Sequence, residues 1–298
     1  MRVLYFGMTG EFSIAPLAAL LAASVEVSGV AVPADGSDRV PIAELKPGTR
    51  QSDLPIVNPF VEHNIVHVAW ERSIPVFEVS RLKHPDTLSA VSMLKPDVAC
   101  VACFSKRMPA ALLALPEHGF LNLHPSRLPM YRGPNPLFWF FRDGGGSTGV
   151  TIHFMDEGLD TGDIAAQAPI ALPDGISRVE ADRRCATLGG RLLVEVVQAL
   201  ERGTLSRRKQ PEDGSYYPLP TPDDFRIDTS WPARRAFNFM RGAAEWRQPY
   251  RVEIGAERLT LESALAFSPD AVLGQAYIRS GDTVRIQFAS GVLEARES

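Results

Sequence analysis

The sequence predicts an α/β protein: an open, mostly parallel sheet with helices on both faces, followed by a small, β-rich, barrel-like domain. Three observations carry that expectation. Up to about residue 203, short β-branched or apolar runs alternate with helix-like segments, the pattern of a parallel sheet covered by helices. Residues 205–222 (LSRRKQPEDGSYYPLPTP) are polar and rich in proline and aromatics, which suits a linker. Beyond them the apolar runs are short and punctuated by Gly255, Gly274, Gly281 and Gly291, as expected of a small antiparallel unit. The expected division is a Rossmann-like domain over 1–204, a linker over 205–222 and the barrel-like domain over 223–298.

Taken in order, strands are expected at 2–6, 25–32, 97–102, 119–124 and 150–155. Helix-like segments fall at 12–23, 86–94, 109–115 and 136–142, and a long one runs from 178 to 202 with Gly203 as its stop. The stretch 33–61 is rich in Pro, Gly, Asp and Ser with little periodicity, longer than an ordinary loop of a compact domain, and so reads as a functional or partly disordered insertion. In the last domain a helix is expected at 233–241, with strands at 250–254, 258–261, 275–279 and 283–288. Trp139, Phe140 and Phe141 sit at adjacent helical positions, a pattern of packing residues rather than of a ligand box.

A net charge of -4 over 298 residues lacks the overall basic excess of a nucleic-acid binder, although a local basic patch stays open. Three cysteines, Cys100, Cys103 and Cys185, are too few to staple a secreted fold, which points to a reducing cytoplasm. The CxxC of Cys100 and Cys103 lies in an apolar run, DVACVAC, that reads as a buried strand rather than a metal or redox pair. No signal peptide or membrane span is expected, since the most apolar early stretch, 14–32, is broken by Pro16 and Glu26.

The densest chemical signal runs from 120 to 164. Side chains two apart on a strand share a face, so in FLNLHP the polar pair Asn122 and His124 points one way while Leu121 and Leu123 point to the core. Pro125 cannot extend a central ladder, so the strand ends as it delivers the pair to the sheet's carboxyl edge, where open α/β sheets place their sites. An asparagine amide can donate to a developing oxyanion and a histidine can take up a proton, a combination suited to acyl transfer without a metal. Downstream, DEGLDTGD supplies Asp156, Glu157, Asp160 and Asp163. A carboxylate there can orient His124, and the spacing of these acids does not reproduce a calcium loop. His153 alternates with Ile152 and Phe154, and periodicity does not decide which face it takes.

The stretch NLHPSRLPMYRGPNP, followed by TGVTIHFMDEGLDTGDI, resembles the signature of formyltransferases that use 10-formyltetrahydrofolate. FGMTGEFSIAPLAALL, IPVFEVSRLKHPD and KPDVACVACFSKRMPAALLALPEHGFLNLHPS are similar, in order, to runs of methionyl-tRNA formyltransferases and related amine formyltransferases. PTPDDFRIDTSWPARRAFNFMRG resembles the start of their carboxyl-terminal domain. The resemblance implies a catalytic trio of Asn122, His124 and Asp160, no metal, and 10-formyltetrahydrofolate as co-substrate. It also implies that Phe104, Ser105, Lys106, Arg107 and Met108, with Met155, Asp156, Glu157 and Gly158, neighbour the folate's pterin, largely through backbone groups.

The implied acceptor is a primary amine, either initiator methionyl-tRNA or a small amine such as an amino sugar nucleotide or a modified amino acid. The family's tRNA enzymes carry a basic insertion after the second strand. Here Arg39, Lys46 and Arg50 stand against Asp35, Asp38, Glu44 and Asp53, so 3 - 4 gives -1, a poor match for phosphates. Arg234, Arg235, Arg241, Arg247 and Arg251, with Arg207, Arg208 and Lys209, form either a basic face or an ordinary solvated surface. A formyltetrahydrofolate hydrolase and a non-catalytic folate binder are the readings from other classes.

Overall fold

The computed structural model describes residues 1–34, 40–47 and 64–298. Most of the charges weighed in the 33–60 insertion, Asp35, Asp38, Arg39, Arg50 and Asp53, lie outside the described residues, as does His63. By its contacts the chain forms two compact units: Met1–Pro129 with Val150–Ala168 and Arg183–Glu212, and Met130–Gly149 with Pro169–Asp182 and Asp213–Ser298. Segments 130–149 and 169–182, which precede the expected linker, thus group with the carboxyl-terminal strands, while Arg208 of that linker exchanges two backbone hydrogen bonds with Ile164 in the first unit.

The larger sheet is made of β1 (Arg2–Gly7), β2 (Glu26–Pro33), β3 (Ile42–Leu45), β4 (Val76–Val79), β5 (Val98–Ala102), β6 (Phe120–His124), β7 (Ser147–Phe154) and β8 (Ile164–Ala171). Its order is β3-β4-β2-β1-β5-β6-β7-β8. The central pairings are parallel, while β3 on β4 and β7 on β6 run antiparallel. The helices between strands are α1 (Glu11–Ala22), α2 (Ile65–Trp70), α3 (Pro85–Met93), α4 (Ala110–Leu113), α5 (Pro136–Arg142) and α6 (Arg178–Glu201). This is the expected α/β class. Strand order reverses between β1 and β5, the kind of switch point beyond whose carboxyl ends such sheets bind ligands.

Apolar runs account for the central strands. Val3, Leu4, Tyr5 and Phe6 of β1, all of β5, and Phe120, Leu121 and Leu123 of β6 are buried. Cys100 is one of these core residues, its thiol pushed up by burial, whereas Cys103 is exposed past the strand's end, so the CxxC places its two thiols in unlike surroundings. Elements that the hydrophobic pattern did not mark are β3, β4, α2 and β8. The first two have four residues each, and β8, IAAQAPIA, is alanine-rich and contains Pro169, a composition of low strand propensity.

The site strand is held from behind by α6. A Cβ at Gly189 would lie 2.4 Å from Leu123 Cδ1, and one at Gly190 would lie 3.0 Å from Pro16 Cα, so two glycines let the helix approach β6 and α1 closely. Gly189→Val is expected to destabilise the protein by about 1–3 kcal/mol through overpacking. A thermal melt checks this, and an unchanged Tm would mean that nothing presses on Leu123.

The second unit carries β9 (Arg226–Ile227), α7 (Ala233–Gly242), β10 (Tyr250–Ile254), β11 (Glu257–Ser268), β12 (Tyr277–Ser280), β13 (Thr283–Gln287) and β14 (Val292–Glu297). They form a six-stranded sheet of order β12-β13-β14-β11-β10-β9, antiparallel except for β9 on β10. This is the expected small β-rich unit. Strand β14 was not anticipated, and β11 continues seven residues past the expected end at 261, to Ser268. Trp139, Phe140 and Phe141 are buried, and Phe138 beside them packs against Phe225 and Phe239 at centroid distances of 5.3 and 5.5 Å, so the aromatic run is core.

Candidate active site

β6 ends at His124 and lies between β5, parallel to it, and β7, antiparallel to it. In the β6–β7 register Asn122 faces His153 and His124 faces Thr151. The loop after β7 then returns Asp160 to the same place. The Asp160 carboxylate oxygen Oδ1 is 3.5 Å from Asn122 Nδ2, 3.7 Å from His124 Nδ1 and 3.5 Å from His153 Nε2. One carboxylate oxygen thus lies within 3.7 Å of three side-chain nitrogens, and the side chains of His124, Asp160 and His153 are 5%, 8% and 2% exposed. At such burial charge–charge and charge–dipole interactions are screened far less than in water.

Asp160 adopts φ +57, a left-handed conformation that is costly for any residue with a Cβ and more tolerable for Asp than for most. The neighbouring contacts hold it there. Gln210 Nε2 donates to the carbonyls of both Asp160 and Gly162 at 2.8 and 2.7 Å. A Cβ at Gly162 would sit 1.9 Å from the Phe154 carbonyl oxygen, so the return of the loop onto β7 requires glycine. Asp156 ties the loop's other limb, accepting from Gly158 N at 3.0 Å and from Thr161 Oγ1 at 2.7 Å.

His153 and Gln210 are the site residues that sequence reasoning missed. The strand periodicity of His153 was ambiguous, and only its pairing with Asn122 decides its face. Gln210 lies in a segment that reads as linker and carried no signal. Nδ1 of His153 donates to the Phe154 carbonyl at 2.8 Å, so in the neutral ring Nε2 is an acceptor for the Asn122 amide, 3.1 Å away. This contact aims the amide. His153→Leu is expected to lower kcat about fivefold with little change in the KM for the formyl donor, the loss of one neutral hydrogen bond. A larger effect on KM than on kcat in steady-state assays would refute a positioning role.

The residues expected around the pterin divide into two groups. Met108 belongs to the hydrophobic core at 3% exposure, and Phe104 and Met155, partly buried, pack against it, Phe104 edge-on to Phe6 at 5.4 Å. Ser105, Arg107, Asp156, Glu157 and Gly158 are exposed, and Lys106 is half-buried. The Arg107 guanidinium donates to the Glu157 carbonyl, so the loop after β5 and the loop after β7 are joined. Among the described residues no group of three or more His, Cys, Asp or Glu side chains is placed to hold a metal ion.

An open α/β sheet whose carboxyl edge presents a half-buried amide, two buried imidazoles and a buried carboxylate has the equipment for acyl transfer: a donor for an oxyanion and groups to move a proton. The sequence profile described as formyl transferase matches residues 6–197, and the chain belongs to that family. The methionyl-tRNA formyltransferase of Syntrophomonas wolfei is 30% identical over a 305-residue alignment that covers 100% of this chain and 90% of that protein. The methionyl-tRNA formyltransferase of Acetivibrio thermocellus is 32% identical over 247 residues, covering 83% of this chain and 74% of the relative.

Among solved structures, the N-formyltransferase from Helicobacter canadensis, in complex with folinic acid and dTDP-3-aminofucose, shares the fold at a TM-score of 0.68 and 16% identity, covering 100% of this chain and 99% of that one. HypX from Aquifex aeolicus in complex with tetrahydrofolic acid matches at a TM-score of 0.59 and 18% identity, covering 99% of this chain and 43% of that one. The protein is a formyltransferase. Among the described residues no helix is long and apolar enough to cross a membrane.

Proposed function

We propose that this formyltransferase moves the formyl group of 10-formyltetrahydrofolate onto a primary amine, with Asn122, His124 and Asp160 as the catalytic groups. The observation that carries the reading is the convergence of the half-buried Asn122 amide and the buried His124 ring on one oxygen of the buried Asp160 carboxylate at the end of β6. The amine nitrogen attacks the formyl carbon and the carbonyl oxygen becomes an oxyanion. Asn122 Nδ2 and protonated His124 donate to that oxygen. The 3.5 Å contact of Nδ2 with Asp160 is the weaker of its two and is the one that yields to the incoming oxygen. The tetrahedral carbon then releases N10 of the folate, the amine's proton leaves, and N10 gains one. Asp160 holds the His124 ring and carries the proton between the two nitrogens.

In this reading the pterin lies against Phe104 to Met108 and Met155 to Gly158, residues 1–204 perform the chemistry, 205–222 connect, and 223–298 form a small separate domain. The reaction belongs in the cytoplasm, where the three thiols stay reduced.

Initiator methionyl-tRNA is the first acceptor to test, because relatives of that name match along most of the chain. A small amine is the second, favoured by the pairing of the carboxyl-terminal arginines: Arg234 with Asp174 at 2.8 Å, Arg251 with Asp223 at 2.8 Å, and Arg235 near Asp143 at 3.9 Å while its Nε donates to the Arg142 carbonyl. Charges already met within the chain have less to offer a phosphate backbone. Formyl transfer from 10-formyltetrahydrofolate is measured with initiator methionyl-tRNA and, in parallel, with amino sugar nucleotides. Transfer to the tRNA supports the first reading, transfer only to a small amine the second, and folate binding with no labelled formyl group reaching any amine, modified amino acids included, defeats the acyl-transfer reading.

A further inference from the structure

The ladder between β6 and β7 ends at the pair of His124 with Thr151. Pro125 follows and has no N–H to offer, so the ladder cannot continue past it. The Thr151 hydroxyl takes over. It donates to the Ser126 carbonyl at 2.7 Å and accepts from the Leu128 N–H at 3.2 Å. Gln167, on β8, donates through Nε2 to the same hydroxyl at 2.9 Å and to the Leu128 carbonyl at 2.9 Å. A hydroxyl has one O–H and two lone pairs, and all three are used here. Thr151, Ser126 and Leu128 are 0%, 1% and 2% exposed, so these bonds are made away from water. Ser126 N in turn donates to the His124 carbonyl at 2.9 Å, which joins the tied segment to the residue that carries the imidazole. The same strand, β7, leads into the loop of Asp160, so both partners of the 3.7 Å contact between His124 and Asp160 are held to it.

We infer that Thr151 and Gln167 are positioning residues for His124: they hold the 124–128 segment so that the imidazole stays against Asp160. The inference rests on the proposed reading of His124 and Asp160 as catalytic groups, and it adds two residues that act through another side chain. Nδ1 of His124 stands 3.7 Å from Asp160 Oδ1, already long for a hydrogen bond, so a small displacement at the strand's end is enough to lose the contact. Misplacement of a reacting group by about 1 Å can cost about 100-fold in rate. With the Thr151 hydroxyl gone, the Ser126 carbonyl and the Leu128 N–H each lose the buried bond that ties them to β7, and the segment shifts to regain bonds elsewhere. The methyl group of Thr151 makes none of these bonds, so the role belongs to the oxygen.

The test is steady-state transfer by the full chain from 10-formyltetrahydrofolate to initiator methionyl-tRNA or an amino sugar nucleotide, whichever the unaltered protein formylates, with calorimetric titration of 5-formyltetrahydrofolate alongside. Thr151→Val keeps the shape and loses the hydroxyl; it is expected to lower kcat about 10- to 100-fold while the Kd for 5-formyltetrahydrofolate changes less than about twofold. Thr151→Ser keeps the hydroxyl and loses the methyl, and is expected to bring kcat back to within about threefold of the unaltered protein. Equal losses in the two variants assign the effect to packing and overturn the inference. Gln167→Leu, at a half-buried position, is expected to lower kcat about fivefold and carries the test if Thr151→Val does not fold. In an Asp160→Asn background the carboxylate that the ring is held against is gone, so either substitution is expected to cost less than about twofold further. A structural defect unconnected with His124 costs its full factor in both backgrounds, and that result overturns the inference, as does loss of folate binding in both variants. Failure of the unaltered protein to formylate any amine, with folate bound, defeats the acyl-transfer reading itself and this inference with it.

Discussion

Asn122→Ala is expected to lower kcat for formyl transfer about 100- to 1000-fold, the usual cost of removing one oxyanion donor from a site that excludes water. The loss falls on kcat because the amide's strongest interaction is with charge that exists only in the transition state. Burial of the neighbouring groups keeps the interaction from being screened, and β6, flanked by β5 and β7, leaves Asn122 no freedom to move aside. The substitution also takes the donor from His153 Nε2 and is expected to cost about 1 kcal/mol of stability. A melt within a few degrees of the unaltered protein beside a collapsed kcat separates chemistry from folding. A kcat reduced less than tenfold, with folate bound normally, would remove Asn122 from the mechanism.

Asp160→Asn is the second large effect, about 100- to 1000-fold in kcat, within the range for a group that positions and relays a proton. The carboxylate stands within 3.7 Å of both imidazoles, and the amide that replaces it has no charge to offer an imidazolium. Its action runs through His124, so the two are expected to be strongly non-additive. Asp160→Asn introduced into a His124→Ala background should cost less than about tenfold further. Full additivity of the two losses in a double-mutant cycle would show that Asp160 does not act on His124. Asn fits the left-handed backbone at this position nearly as well as Asp, which keeps the loop's geometry out of the comparison.

Much of this protein was legible from its residues in order. Alternation of apolar runs with helical periodicity is a local property, and it announced β1, β2, β5, β6, β7, α5 and α6 because each buries its own stripe against a common core. The pair Asn122 and His124 was legible for the same reason: a strand's two-residue period and the proline that ends it place both side chains on one face at one edge.

What was not legible depends on partners distant in the chain. Strand β8 has little propensity of its own and exists because β7 offers it an edge. His153 could have faced either way, and the antiparallel register of β7 on β6 turned it toward Asn122. Gln210 became a brace for Asp160 because the chain returns past β8 nearly fifty residues later. Lys83 and Arg107 share a cavity because two loops at the sheet's carboxyl edge meet there. Sequence by itself determined which segments hide from water and which polar groups stand at strand ends, since both follow from short-range periodicity. Tertiary structure alone decided which of those groups touch, because contact between remote residues is set by strand order and register, and neither is written in any one segment.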